Sequence, residues 1–517
     1  MALGPKGVIA QVGSLARKVA RFFGIGPFLG DVLRGTLGTG LARGVGLARE
    51  VALAHVFGAS SAYDAFLIAY FVPHILRRLL GEGGLAAAFL PVYVRAEERG
   101  EGAPLARATL ISLLLVLVPV CTLGCLLAPW YIPLLAGGFP PEKLSLAVSL
   151  ARWVFPFLVF SSLSALAGGV LNAHGRFFLP ALSPAVLSLG VILGALVFSR
   201  VFSPPIFGVA VGVLLGGAGM VALQLPWAAK YFKGEGEVRL GELKEMGRRL
   251  LPVLGGLAVA EVNLLVDNRL ASFLADGSVA VLQYAMRLFQ LPVGMLAVSV
   301  ATAALPRLSR EAVRGSDAGF SAALSKGVGL GAALLLPAMA GLLVLGRPIV
   351  ALLFQHGAFT QADTVRTSGA LSAYLSGLWA YGLVYLFSRA FYALGRPEIP
   401  VLTAAAAVGV NIGLDLWWVG PWGTFGLALA TGLSGWVDAL LQGFILWQGR
   451  RGWIPWRTVA QAAVAALGMG LGLWALDRWV LAGLGTWVRV LVGVPAGLGL
   501  YLALAKAVGL DKTLRDG

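Results

Sequence analysis

Two arginines, Arg43 and Arg49, interrupt the segment TGLARGVGLAREVALAHVFG over residues 39–58, which is otherwise mostly Ala, Gly, Leu and Val. A guanidinium group is costly in hydrocarbon, so a helix of this composition keeps one only where it is put to use. Its particular use is recognition of phosphate or carboxylate: the planar fork offers parallel hydrogen bonds and does not lose its proton. Arg77, Arg78, Arg269, Arg287 and Arg389 also fall inside apolar stretches. Near the first four arginines the available acids are Glu50, Asp64 and Glu82. Arg78 and Glu82, at i and i+4, are spaced to pair on one helix face. Three acids against four arginines leave a net positive interior. A water-filled cavity that receives an anion, of the size and charge of a diphosphate, is the use that fits.

A second set is built from oxygen. In VGVNIGLDLWW, Asn411 and Asp415 are four apart and share a helix face. Asp267 and Thr431 belong to other apolar segments. Carboxylates in such surroundings need protons or a hard cation such as Na⁺. Two readings of this set stand side by side. One is a cation site; the other is hydrogen bonding between helices, with Asp267 paired to its neighbour Arg269.

The elements that must position these residues are membrane helices. Of 517 residues, 58% are hydrophobic and 12% charged, where a soluble domain carries about 25% charged residues. Apolar runs such as 108–127, 209–225, 328–345 and 459–476 approach the roughly 20 residues that cross hydrocarbon. Fourteen spans are predicted, centred near residues 47, 75, 116, 160, 190, 217, 260, 294, 335, 382, 408, 436, 468 and 497. Most of the 40 Lys and Arg fall in the termini and the even-numbered connections, which puts both termini in the cytoplasm. The +16 net charge is therefore a topology signal, and nucleic acid is not an expected partner.

The chain also resembles itself at an offset of about 220 residues. AHGRFFLP at 173–180 aligns with ALGRPEIP at 393–400, and Leu223-Gln224 with Leu441-Gln442. The expected fold is thus an all-α polytopic membrane protein with 14 transmembrane helices: two six-helix lobes related by an internal repeat, plus two C-terminal helices. The expected boundaries are an N-terminal segment 1–34, an N-lobe 35–235, a C-lobe 236–452, a C-terminal helix pair 453–510 and a tail 511–517. Segment 1–34, with Arg17, Lys18 and Arg21 among apolar residues, reads either as an interfacial amphipathic helix or as a loose leader. The glycines of the first span and Pro73 of the second read either as points of bending or as close helix packing.

Absences narrow the function further. No GxxxxGK[ST] loop is present, the four histidines are scattered, and Cys121 and Cys125 read as buried apolar residues. No catalytic constellation emerges, and an enzyme is not expected.

The residues already singled out carry a family resemblance. Residues 41–93 resemble the first two helices of the MurJ (MviN) family of lipid II flippases. QYAMRLFQLPVGMLAVSVATAALPRLSR resembles that family's eighth helix, and LNAHGRFFLPALSP and RAFYALGRPEIP resemble two of its connections. The resemblance implies the fold of the multidrug/oligosaccharidyl-lipid/polysaccharide exporters. It also implies alternating-access transfer of undecaprenyl-diphosphate-linked peptidoglycan precursor to the outer leaflet. Carried over by position, it makes Arg43, Arg49, Asp64, Arg77, Arg78 and Arg287 substrate-binding residues, and Glu82 joins this set through its spacing to Arg78. Glu50 stands where the family usually has aspartate, and Met286 where Asp or Asn is frequent. Family members with a bound Na⁺ imply ligands at Asp267, Asn411, Asp415, Thr431 and the Leu427 carbonyl. The last two helices would form a groove for the polyprenyl tail. Implied partners are lipid II, membrane lipids and other cell-wall synthesis proteins. Another exporter of this fold, for O-antigen-type lipids or for drugs, is the alternative; a drug antiporter for cations would need an acidic cavity.

Overall fold

The computed structural model describes residues 27–78, 84–234, 240–449 and 452–516, with backbone alone for 27–38, 84–87, 240, 250–260 and 514–516. Residues 1–26 of the expected N-terminal segment, and Glu82, lie outside the described residues. Among the described residues nine helices are long and apolar enough to cross a membrane, ten if a bent pair counts as one span. The chain is a polytopic helical membrane protein.

Its contacts group into two compact units. The first comprises residues 1–57, 65–135 and 139–258; the second comprises 58–64, 136–138 and 259–517. The short segments 58–64 and 136–138 thus pack with the second unit although the helices that continue them belong to the first.

In the first unit, α1 (Pro27–Phe57) carries Arg43 and Arg49, and α2 (Ser61–Arg77) carries Arg77 at its end. Then come α3 (Gly84–Glu98), α4 (Gly102–Leu135), α5 (Pro141–Val154), α6 (Phe157–Ala173), α7 (Phe178–Leu196) and α8 (Phe207–Ala228). α1 packs along α7, and α7 along α8. The α7–α8 crossing is set by glycine. A Cβ on Gly190 would lie 2.5 Å from the Gly212 carbonyl oxygen, and one on Gly194 2.6 Å from that of Gly208. Small residues at this spacing let membrane helices approach to backbone contact.

The second unit takes in the end of α9 (Leu240–Ala271), then α10 (Ser278–Pro292), α11 (Val298–Val313), α12 (Asp317–Phe354), α13 (Gln361–Leu375) and α14 (Leu378–Ala393). It continues through α15 (Glu398–Gly449), α16 (Trp456–Ala475), α17 (Thr486–Ala507) and α18 (Leu510–Asp516). α15 runs for 52 residues but is interrupted at Gly423 (φ 52°, ψ −130°). Only glycine takes such a conformation cheaply, and the interruption falls between the spans expected near 408 and 436. The tenth candidate span is the α13–α14 pair, bent by 44°.

Local geometry repeats at the offset seen in the sequence. α5 and α6 break at residues 155–156, and α13 and α14 break at 376–377. Gly175 (φ 71°) and Gly395 (φ 69°) both turn the chain just after a helix, the usual left-handed stop.

Candidate functional site

The first unit holds the arginines of α1 and α2. The helical run from Pro27 to Phe57 puts Arg43 on an exposed position and Arg49 on a half-buried one, its side chain 21% exposed. Arg49 Nη2 donates to Glu50 Oε1 at 2.5 Å, and Glu50 is 2% exposed. Adjacent residues on a helix do not face the same way, so the long arginine side chain folds back to reach its neighbour. One carboxylate oxygen binds one arm of the guanidinium, and the side chain stays accessible. On α2, Arg77 is buried to 9% exposure and its Nη2 lies 3.5 Å from His74 Nδ1. Arg78 follows at the end of this stretch, and its expected partner Glu82 lies outside the described residues.

Asp64 belongs to the second unit by its contacts. Its carboxylate accepts from the Gly277 N–H at 2.7 Å and the Ala280 N–H at 2.9 Å, at 1% exposure. These are amides at the start of α10, so Asp64 caps that helix from a distant part of the chain. A carboxylate there satisfies otherwise orphaned donors and meets the positive end of the helix dipole. Two glycines make the approach possible. Gly277 (φ 81°) has no room for a Cβ against the Ala59 carbonyl oxygen, at 2.0 Å, and Gly58 (φ 57°) none against that of Ala358, at 2.4 Å. Further along α10, Arg287 donates from Nη2 (3.0 Å) and Nε (3.2 Å) to the Gln283 side-chain oxygen, one turn earlier, in the amide orientation that satisfies both groups. Met286, beside it, supplies no polar atom.

The oxygen set also assembles within the second unit. Asn411 and Asp415 on α15 are fully buried, at 0% exposure; Thr431 is 5% and Leu427 1% exposed. The carboxyls of Asp267 (α9) and Asp415 come within hydrogen-bonding reach of each other. Thr431 Oγ1 donates to the Leu427 carbonyl at 3.1 Å. As the donor, the Thr431 hydroxyl keeps its own lone pairs for a cation, while the Leu427 carbonyl spends one of its two on this bond. Asp267 makes no ion pair with Arg269 among the described residues, so the neighbour-pairing reading of Asp267 fails. Asp267 instead accepts from Asn263 Nδ2 at 3.4 Å.

The decisive feature is what these atoms lack. Both oxygens of Asp415, both amide atoms of Asn411, and Oδ1 of Asp267 and of Asn263 are buried with no hydrogen-bond partner. Two facing carboxylates cannot donate to each other when ionised, and burying them so costs several kcal/mol. A proton or a hard cation between them removes the cost. The donor set of carboxylates, amide oxygen, hydroxyl and carbonyl suits Na⁺. No group of three or more His, Cys, Asp or Glu residues forms among the described residues, so the set does not resemble a zinc-type centre.

Asn263 was not singled out in the sequence, yet a signal was there. Asn263 and Asp267 repeat the four-residue Asn-to-Asp spacing of Asn411 and Asp415.

Comparison with known proteins comes down on one family. The model described as "Lipid II flippase MurJ" matches residues 53–492. A probable lipid II flippase of Vibrio cholerae is 33% identical over 488 residues, covering 88% of this chain and 91% of its own. One of Thermotoga maritima is 33% identical over 490 residues, covering 93% and 98%. A solved lipid II flippase MurJ in an inward closed conformation aligns with TM-score 0.81 at 27% identity, covering 93% of this chain and 99% of that one. An inward-facing multidrug transporter of the MATE family aligns with TM-score 0.67 at 16% identity and shares the fold.

Proposed function

Because the chain belongs to the MurJ family of lipid II flippases, we infer that it transports lipid II across the cytoplasmic membrane for peptidoglycan synthesis. It is a transporter and makes or breaks no covalent bond in its substrate. The observation that carries this reading is the match along nearly the whole chain, at one third identity, with relatives of the same length.

The finer reading is our proposal. Fourteen spans, with both termini in the cytoplasm, form two six-helix lobes and a C-terminal pair that accommodates the polyprenyl tail. Alternating access carries the diphosphate and sugars from one face to the other. Arg43, Arg49, Arg77, Arg78 and Arg287 bind the diphosphate, because guanidinium forks match its oxygens, with Glu82 balancing Arg78. Asp64 serves by holding the start of the helix that carries Arg287. Asp267, Asn411, Asp415, Thr431 and the Leu427 carbonyl hold Na⁺, whose charge would neutralise the buried acid pair. Such an ion drives transport only through different affinity for two conformations. Association with other cell-wall synthesis proteins is part of the same proposal.

The experiment is depletion of the protein in its host, followed by labelling of lipid II at the outer surface. The expected result is precursor accumulating in the inner leaflet and restored export on re-expression. Unchanged surface labelling after depletion would refute the assignment.

A further inference from the structure

Where α12, the start of α16 and the C-terminal α18 meet, the second unit has a cavity of about 170 Å³, many times what one water molecule needs. It is lined by Ser325, Lys326 and Gly329 of α12, Pro455 and Thr458 at the head of α16, and Thr513 of α18, with Ala322 at its edge. No Asp or Glu is among the lining residues; Asp511, two residues from Thr513, is not one of them. Three features bring donors to this space.

The first is Lys326, exposed and without an ion pair among the described residues. The second is the N-terminus of α16. This 20-residue helix begins after Pro455, which offers no side-chain cap. The Trp456 N–H is used by the Ile454 carbonyl, while the Arg457 and Thr458 amides have no partner among the described residues. The third is Thr458 itself. It is 7% exposed, it lines the cavity, and its hydroxyl makes no hydrogen bond among the described residues. Its oxygen is not among the sealed, partnerless side-chain atoms, so it opens on the cavity, where it can donate to a ligand acceptor. An ammonium, a free helix N-terminus and hydroxyl donors around a cavity without acids are the elements of an anion site.

The surroundings say which kind of anion. Trp456, beside the cavity, is 72% exposed, as aromatic residues are at the headgroup level. Farther along α16, Val464, Leu467 and Leu471 are 58%, 67% and 69% exposed. At i, i+3 and i+7 they form one apolar stripe on the helix whose N-terminus meets the cavity. That stripe lies on the far side of α16 from Thr458 and faces lipid, so an anion that carries acyl chains can place its phosphate in the cavity at the helix head and leave its tails in the surrounding lipid. We propose that this cavity binds the phosphate of an anionic phospholipid, separately from the arginines and the acids described above. A basic pocket between membrane helices at headgroup depth is suited to this.

The test uses the purified full chain in neutral detergent, with phosphatidylglycerol or phosphatidylcholine added and bound lipid counted by native mass spectrometry. The expected result is preferential retention of phosphatidylglycerol. Lys326→Gln should weaken it roughly fivefold, the effect of about 1 kcal/mol for one cation at the membrane surface. Thr458→Val, close in volume and without the hydroxyl, should weaken it as well, and the two losses should combine. Both variants should keep the thermal unfolding profile of the lipid-free wild type, since Lys326 is exposed and valine keeps the methyl that Thr458 packs against Gly329. Equal retention of the two lipids, or phosphatidylglycerol binding unchanged in both variants, would overturn the proposal. Displacement of the lipid by millimolar inorganic phosphate alone would overturn its lipid part and leave a free-phosphate site.

Discussion

The arginines of the first unit and the acids of the second meet the same difficulty, charge within apolar helices, in opposite ways. Arg43 is exposed and Arg49 keeps 21% of its side chain accessible, so neither guanidinium is sealed in by the protein. Asp415 and Asn411 are sealed at 0% exposure with partnerless atoms. An accessible cation is solvated while it waits, and its binding energy remains available to a passing anion. A sealed carboxylate such as that of Asp415 has no such waiting state, so it must hold or share a proton or a cation. The first region therefore reads as a site for cargo that comes and goes. The second reads as a site whose occupancy and conformation are tied together.

The largest expected effect comes from breaking the accessible side of this contrast. Arg49→Ala or Arg43→Ala should lower lipid II export by at least about 100-fold, since each fork supplies charge-assisted bonds worth roughly 1.5–3 kcal/mol apiece. Protein abundance and thermal stability should change little, because these side chains are not sealed in. Arg49→Lys should recover only part of the loss, an ammonium lacking the fork. Export assayed beside membrane abundance separates the outcomes; near-normal export by Arg49→Ala would remove the contrast at its root.

The sealed side should respond in stability before it responds in binding. At a Na⁺ concentration 100 times its dissociation constant, mass action predicts about 2.7 kcal/mol of stabilisation, read as a rise in unfolding temperature that K⁺ does not produce. Asp415→Asn should abolish this response. The same change should raise stability in sodium-free buffer, because one of two facing charges is gone. If Na⁺ and K⁺ stabilise alike, or the variant still distinguishes them, the buried pair is held by protons and the contrast between the regions narrows. Asn263→Leu serves to sharpen this test, since loss of its Oδ1 should weaken the Na⁺ response only if that atom is a ligand.

The smallest effect concerns how the arginine helix moves. A Cβ on Gly40, Gly44 or Gly46 meets no atom within 4 Å, so close static packing does not explain these glycines in this conformation. Gly44→Ala removes about 1 kcal/mol of helix-breaking tendency. It should slow export by a few-fold while leaving precursor binding unchanged. A parallel fall in binding and export would return the glycines to a packing role in another conformation.

Much of this protein is written in its composition and spacing. The apolar runs demand helices because lipid leaves no other partner for backbone amides. The paired helix breaks and the paired glycine turns recur at the 220-residue offset visible in the sequence, since both follow from local residue choice. Arg43, Arg49 and Asp415 stood out because charge in hydrocarbon is rare and visible in one dimension. Other features depend on neighbours far apart in the chain. That Asp64 caps α10 could not be read beforehand, because its partners are amides more than 200 residues away, reached only through Gly58 and Gly277. Asn263 looked like an ordinary polar residue until folding set its oxygen among others without donors. The Lys326 cavity belongs to three helices that no sequence pattern links. Hydropathy and periodicity report what each segment needs from its solvent. Which segments meet, and which polar atoms they leave unsatisfied, is decided by packing alone.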